Sequence, residues 1–158
     1  MNRQLIRRLP IALAGLAVLL FMAMTAVGAT PTSITLTLQA GVDQTKTPCH
    51  QSNHYQAYKL GTRIYMDGYV TPAPDFPDGG WKVKIKVKKC VLGVFKTVKQ
   101  VHVLGNGVTV NGVKEGHYKW SWKPAYTGFY FARAYYYTST TTSIQSTDEH
   151  FHVQKLAP

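Results

Sequence analysis

From residue 32 onward the apolar positions of this chain recur at every second residue, and no stretch after residue 29 shows the three-to-four spacing of a helix. The densest run is 127–137, TGFYFARAYYY. In an extended chain Tyr130, Ala132, Ala134 and Tyr136 fall on one side, and Phe129, Phe131, Arg133, Tyr135 and Tyr137 on the other. Aromatics on both sides predict a central strand, buried on one face and either covered or functional on the other.

The remaining strands are read the same way. Residues 32–39 (TSITLTLQ) alternate Ile34, Leu36 and Leu38 with threonines. Residues 41–58 contain Pro48, Cys49, two His and several Gln and Asn without a clear period, and read as a long loop. Residues 62–70 set Ile64, Met66, Gly68 and Val70 against Arg63, Tyr65, Asp67 and Tyr69, and 71–80 is a Pro-, Asp- and Gly-rich turn region. Residues 81–91 alternate Lys82, Lys84, Lys86 and Lys88 with Val83, Ile85 and Val87, until Lys89 breaks the pattern. A bulge or strand end is expected near Lys89 and Cys90.

Residues 94–104 read as a strand pair or one bent strand, and Gly105-Asn106-Gly107 and Asn111-Gly112 as turns. Residues 117–123 alternate Tyr118, Trp120 and Trp122 with His117, Lys119, Ser121 and Lys123, and Pro124 closes that strand. Tyr118, Trp120, Trp122 and Tyr130 are expected in the core, whereas Trp81 is the one tryptophan expected to be exposed. A hydroxyl-rich tip at 138–142 leads to a last strand at 148–154, with Phe151 and Val153 opposite His150, His152 and Gln154. Some seven to nine short strands without helices imply an all-β, antiparallel sandwich.

The strand containing Asp67-Gly68-Tyr69-Val70, the Pro-rich turn, the 81–91 strand, Gly116-His117-Tyr118-Lys119-Trp120, Pro124 and Gly128-x-Tyr130-x-x-x-Ala134 follow one another in an order that resembles bacterial immunoglobulin-like repeat domains. The resemblance spans roughly 32–154. It implies an immunoglobulin-like sandwich in which Tyr130 is a corner tyrosine bonding back to the backbone, and in which the 81–91, 127–137 and 148–154 strands share a sheet. Ala132 stands where antibody domains carry a cysteine. Such modules are structural or binding units at cell surfaces, with no catalytic residues to carry over. A single module with a cysteine-containing insertion departs from the usual spacer role.

Arg3, Arg7 and Arg8 precede an apolar run from Leu9 to about Val27, which ends in Val27-Gly28-Ala29. Residues 1–29 read as a secretory signal peptide, or as an uncleaved signal anchor, and 30–158 as one exported domain, secreted or held at the cell envelope. After signal cleavage no integral membrane role is expected. In an oxidising compartment Cys49 and Cys90 are expected to pair. Eighteen Lys and Arg against seven Asp and Glu give a net charge of +11, or about +8 once the three N-terminal arginines are set aside. That balance favours anionic partners at long range.

Under the resemblance, one outer face would carry Lys82, Lys84, Lys86 and Lys88 beside Phe129, Phe131, Arg133, Tyr135 and Tyr137, with His150 and His152 next to them. Such a platform suits an anionic polysaccharide or other envelope polyanion, with nucleic acid less favoured. Three plainer readings stand beside it: a solvated lysine face, aromatics covered by the 41–58 segment, and an interface with a protein partner or a second copy of the chain. The sequence contains no nucleophile elbow, His-Glu-x-x-His motif or phosphate loop, so a non-catalytic protein without cofactor or metal is expected.

Overall fold

A computed structural model of the chain describes residues 30–50, 53–74 and 81–156. Residues 1–29, on which the signal or anchor expectation falls, and the turn residues Asp75, Asp78, Gly79 and Gly80 lie outside them. The described chain is all β apart from one 3₁₀ turn at Pro48–His50. Its strands are β1 (Ser33–Ile34), β2 (Thr37–Leu38), β3 (Val42–Lys46), β4 (Asn53–Lys59), β5 (Ile64–Thr71), β6 (Lys82–Val91), β7 (Val94–Val110), β8 (Val113–Trp122), β9 (Gly128–Tyr137), β10 (Ser143–Gln145) and β11 (Glu149–Gln154). Among the described residues no helix is long and apolar enough to cross a membrane.

The strands form two ladders joined by β7. In the first, β1 and β2 pair with β5, β5 with β8, and β8 with the second half of β7. In the second, the order runs from the first half of β7 through β6, β9 and β11 to β4 and β3. All pairings are antiparallel except β4 with β11. The ladders bury one core between them. Ile64, Met66, Val70 and Tyr118 come from the first, and Val83, Ile85, Val87, Tyr130, Ala132, Ala134, Phe151 and Val153 from the second. Trp122 bridges the two, with its ring 5.7 Å from Tyr130 and 6.4 Å from Phe151. Each fully buried Val, Ile or Phe side chain contributes about 1.5–3 kcal/mol. The period-2 reading of β5, β6, β8, β9 and β11 thus matches the observed inward faces.

Four expectations need correction. First, 41–58 is not a loop: β3 and β4 pair with each other, and Tyr55, Ala57 and Tyr58 are buried. Polar Asn, His and Gln between these positions hide the alternation, and the parallel pairing with β11 is a long-range contact that no local pattern announces. Second, Trp81 is only 5% exposed. Its indole lies against Gly105 and Gly116, where an added Cβ would come within 1.9 and 2.4 Å of ring atoms. Third, Gly105-Asn106-Gly107 therefore sits inside β7 in place of a turn. These glycines leave room for the indole just where β7 passes from one ladder to the other, Leu104 opposing Lys82 and Gly105 opposing Tyr118.

Fourth, the irregularity in β6 falls between Val87 and Lys88, where β7 carries one extra residue, Val98, and β6 continues to Val91. The Asn111-Gly112 turn is present, with φ of 50° and 80°. A second two-residue turn, Leu92-Gly93, with φ of 52° and 78°, fixes the β6–β7 register. The first strand is broken into β1 and β2, both on the edge of β5.

A lysine and tyrosine platform, half of it roofed

The second ladder places β6, β9 and β11 side by side, so the residues singled out from the sequence do meet on one outer face. Directly opposed residues share a face. Lys84 opposes Tyr135, Lys86 opposes Arg133 and Lys88 opposes Phe131. On the other side of β6, Lys82 opposes Leu104, Lys84 opposes His102 and Lys86 opposes Gln100.

At the open end of this face, ammonium groups lie on tyrosine rings. Lys84 Nζ is 4.2 Å from the Tyr137 ring centroid and 5.7 Å from that of Tyr135, and it donates a hydrogen bond to the Tyr137 hydroxyl. Lys86 Nζ lies 5.2 Å from the Tyr135 ring. Lysine stems cover the aromatic surface while their charged ends stay near water. Lys82 is exposed and Tyr137 is 41% exposed. None of the three ion pairs among the described residues includes a β6 lysine.

Arg133 behaves differently. Its Nε and Nη2 donate to the two carboxylate oxygens of Asp148 at 2.5 and 2.6 Å, and its Nη1 donates to Gln145 Oε1 at 3.1 Å. These bonds to Asp148 hold the guanidinium pKa above its ordinary value. A bidentate pair of this kind is electrically closed, so Arg133 adds rigidity to the platform without adding free charge.

The other end is covered. Cys49 lies between β3 and β4, and Cys90 lies near the end of β6; a disulfide joins them. Because β9 and β11 stand between β6 and β4, this strap crosses over both. Under it, Phe131 is only 7% exposed and packs edge-on to Phe95 at 4.9 Å. Tyr55 is fully buried against Phe129 at 5.4 Å and His150 at 5.2 Å. His152 stacks on Phe129 at 4.1 Å. Lys88 Nζ sits 5.4 Å from the Phe131 ring.

Burial lowers the pKa of both imidazoles. At His150 the Asp148 charge opposes that shift and Arg133 adds to it, and at His152 Lys46 adds to it. His150 Nδ1 and the Tyr55 hydroxyl are buried without a hydrogen-bond partner. Glu149, half-buried beside Asp148, has a raised pKa, first from burial and then from its neighbour's charge. The described residues contain no group of three or more His, Cys, Asp or Glu able to hold a metal ion.

Sequence reasoning missed Phe95, Tyr55, His102 and Asp148 as members of this face. Tyr55-x-Ala57 was the available signal for β4, and Leu92-Gly93 would have set Phe95 opposite Cys90. The partnership of Arg133 with Asp148 follows only from the β9–β11 register. On the opposite side of the molecule, an open depression of about 270 Å³ is lined by Tyr65, Met66, Asp67, Lys119, Trp120 and Ser121. Several of its polar groups are already engaged. His117 bonds Asp67 at 2.9 Å, and Arg63 donates to Ser121 at 3.2 Å. Compared with known proteins, the chain matches no family model and no curated protein sequence.

Proposed function

We propose that this chain is an exported, non-catalytic binding module with an immunoglobulin-like β-sandwich, and that it holds an anionic polymer of the cell envelope on the open end of the β6–β9 face. One observation carries the reading. Lys82, Lys84 and Lys86 stand in a row on one outer face, two of them supported on tyrosine rings and none paired with a carboxylate among the described residues. Uncompensated cations in a fixed row attract polyanions. The immunoglobulin-like reading is supported by the adjacency of β6, β9 and β11 and by Tyr130, whose hydroxyl donates to the Tyr126 carbonyl at 2.7 Å. Export is supported by the N-terminal arginines, the apolar run and the disulfide, which persists in oxidising compartments.

The test is co-sedimentation of the full chain, kept in nonionic detergent for its apolar N-terminus, with anionic wall polysaccharide and with DNA at low and high salt. We expect binding that fades with salt and falls roughly tenfold or more in Lys84→Glu/Lys86→Glu. Binding unchanged by that double reversal would remove the platform from the reading. The alternative is a structural or self-assembling subunit with Phe129, Phe131, Tyr135 and Tyr137 buried between chains; against it stands Phe131, which Phe95 and Lys88 of the same chain already pack against, while Tyr137 stays 41% exposed.

A further inference from the structure

Resting on that reading, we infer that the polymer is a linear phosphodiester chain recognised through its backbone charges, of the polyol-phosphate kind, and not through stacked rings. Two observations lead there. The first concerns the tyrosines. A ligand that stacked its sugars or bases on this face would need free ring faces. Lys84 lies over both Tyr135 and Tyr137, and Lys86 over Tyr135. The rings are already used to position ammonium groups, so the surface offered to a ligand is charge. Arg133, whose planar fork would favour bidentate recognition, is occupied by Asp148. What remains are ammonium point charges.

The second observation is spacing. Lys82, Lys84 and Lys86 are alternate residues of one strand, so their origins repeat about every 6.6–6.8 Å. Two residues of extended backbone contain six covalent bonds. A chain in which successive phosphorus atoms are joined through two oxygens and three carbons also has six bonds per repeat, and at full extension spans about the same 7 Å. One anionic phosphate then meets each ammonium without either chain having to bend. Single-stranded nucleic acid shares the six-bond phosphate repeat, but for stacking its bases would find mainly Tyr137, which is 41% exposed and whose hydroxyl is bonded by Lys84. A polymer carrying carboxylates on sugar rings places its charges by ring geometry, out of step with the strand.

The experiment is isothermal titration of the full chain in nonionic detergent with three probes at equal anionic charge: a glycerol phosphate oligomer, oligo-dT and a uronic acid oligomer. We expect the glycerol phosphate oligomer to bind at least as tightly as oligo-dT, and the uronic acid oligomer about tenfold more weakly. With three phosphates contacted, log K should fall with log salt at a slope of about −2, the value for a flexible single strand. Tyr135→Leu/Tyr137→Leu should weaken all probes together, because it frees the lysines from their supports, and a thermal melt of that variant checks that the fold persists. Oligo-dT binding tenfold tighter than glycerol phosphate, with that advantage lost in the tyrosine double variant, would overturn the inference by showing that bases stack. Preference for the uronic acid oligomer would overturn the phosphodiester assignment while leaving the polyanion reading in place. Failure of all three to bind would bring down both.

Discussion

His150 is the residue at which the cost of covering the platform is most visible. Its ring is packed between Tyr55 and Phe131, with a buried nitrogen that has no hydrogen-bond partner among the described residues. Burial lowers its pKa and that of His152 in the folded state, while in the unfolded chain both revert toward 6.5. As pH falls through that value, the unfolded chain takes up protons that the folded chain resists, so stability is full above about pH 6.5 and declines below it. Glu149 acts in the opposite sense: its raised pKa means that its charge destabilises the fold at neutral pH, and protonation nearer the ordinary carboxylate range relieves this. On acidification the histidine loss comes first. We expect urea midpoints to drop between about pH 7.5 and 5.5, and His150→Phe to flatten that slope. A midpoint that rose over this interval would contradict the burial of the imidazoles. The Tyr58 hydroxyl, pushed up to about 12 by burial and by Glu149, stays protonated throughout and donates to the Gln39 carbonyl at 2.5 Å.

At the level of elements, β7 and the Cys49 strap do most to shape the molecule. The seventeen residues of β7 serve both ladders, and the change of partner occurs at Gly105, beneath the Trp81 indole. A methyl group at 105 would overlap that ring. Gly105→Ala should therefore cost about 1–3 kcal/mol or somewhat more by denaturant titration, although the backbone at 105 is extended and tolerates alanine. The strap joins two cysteines 41 positions apart in sequence. By loop-closure entropy Cys49→Ser/Cys90→Ser should lose about 4 kcal/mol. Because Cys90 opposes Phe95, which packs on Phe131, and Cys49 leads into β4, whose Tyr55 packs on Phe129, the same variant should bind a hydrophobic dye that the oxidised protein does not. Lost stability without new dye binding would mean that the rings are held by β4 and Phe95 alone.

For the whole molecule, the outer faces of the two ladders have different characters. Between β5 and β8 the two carboxylates are engaged, Asp67 by His117 and Glu115 by the Thr71 hydroxyl, while Lys114 and Lys119 of β8 enter no ion pair among the described residues. On the β6–β9 face the lysines have aromatic neighbours, and the carboxylate there, Asp148, is taken by Arg133. Reversing two exposed charges elsewhere, as in Lys96→Glu/Lys99→Glu near the end of β7, should weaken polyanion binding by about threefold or less, against tenfold or more for Lys84→Glu/Lys86→Glu. Equal losses from both pairs would mean that net charge, not the row, does the binding.

Alternation along β5, β6, β8, β9 and β11 was enough to assign nearly every inward residue, because a strand with one buried face must repeat every second position. The sequence by itself also determined the cysteine pair and the row of lysines on one face, since both depend on composition and on period 2. Tertiary structure alone decided the fate of that face. Whether Phe131 was a contact surface or a covered ring depended on Phe95, Tyr55 and a strap that crosses two strands, all distant in sequence. Whether Arg133 was a free cation depended on the register that brings β11 and Asp148 beside β9. Trp81 and Gly105 gave no local sign of their contact, because room made by a glycine can be recognised only once the ring that fills it is in place. A period is a property of one strand, whereas cover, pairing and room are properties of several, and only the folded chain brings those together.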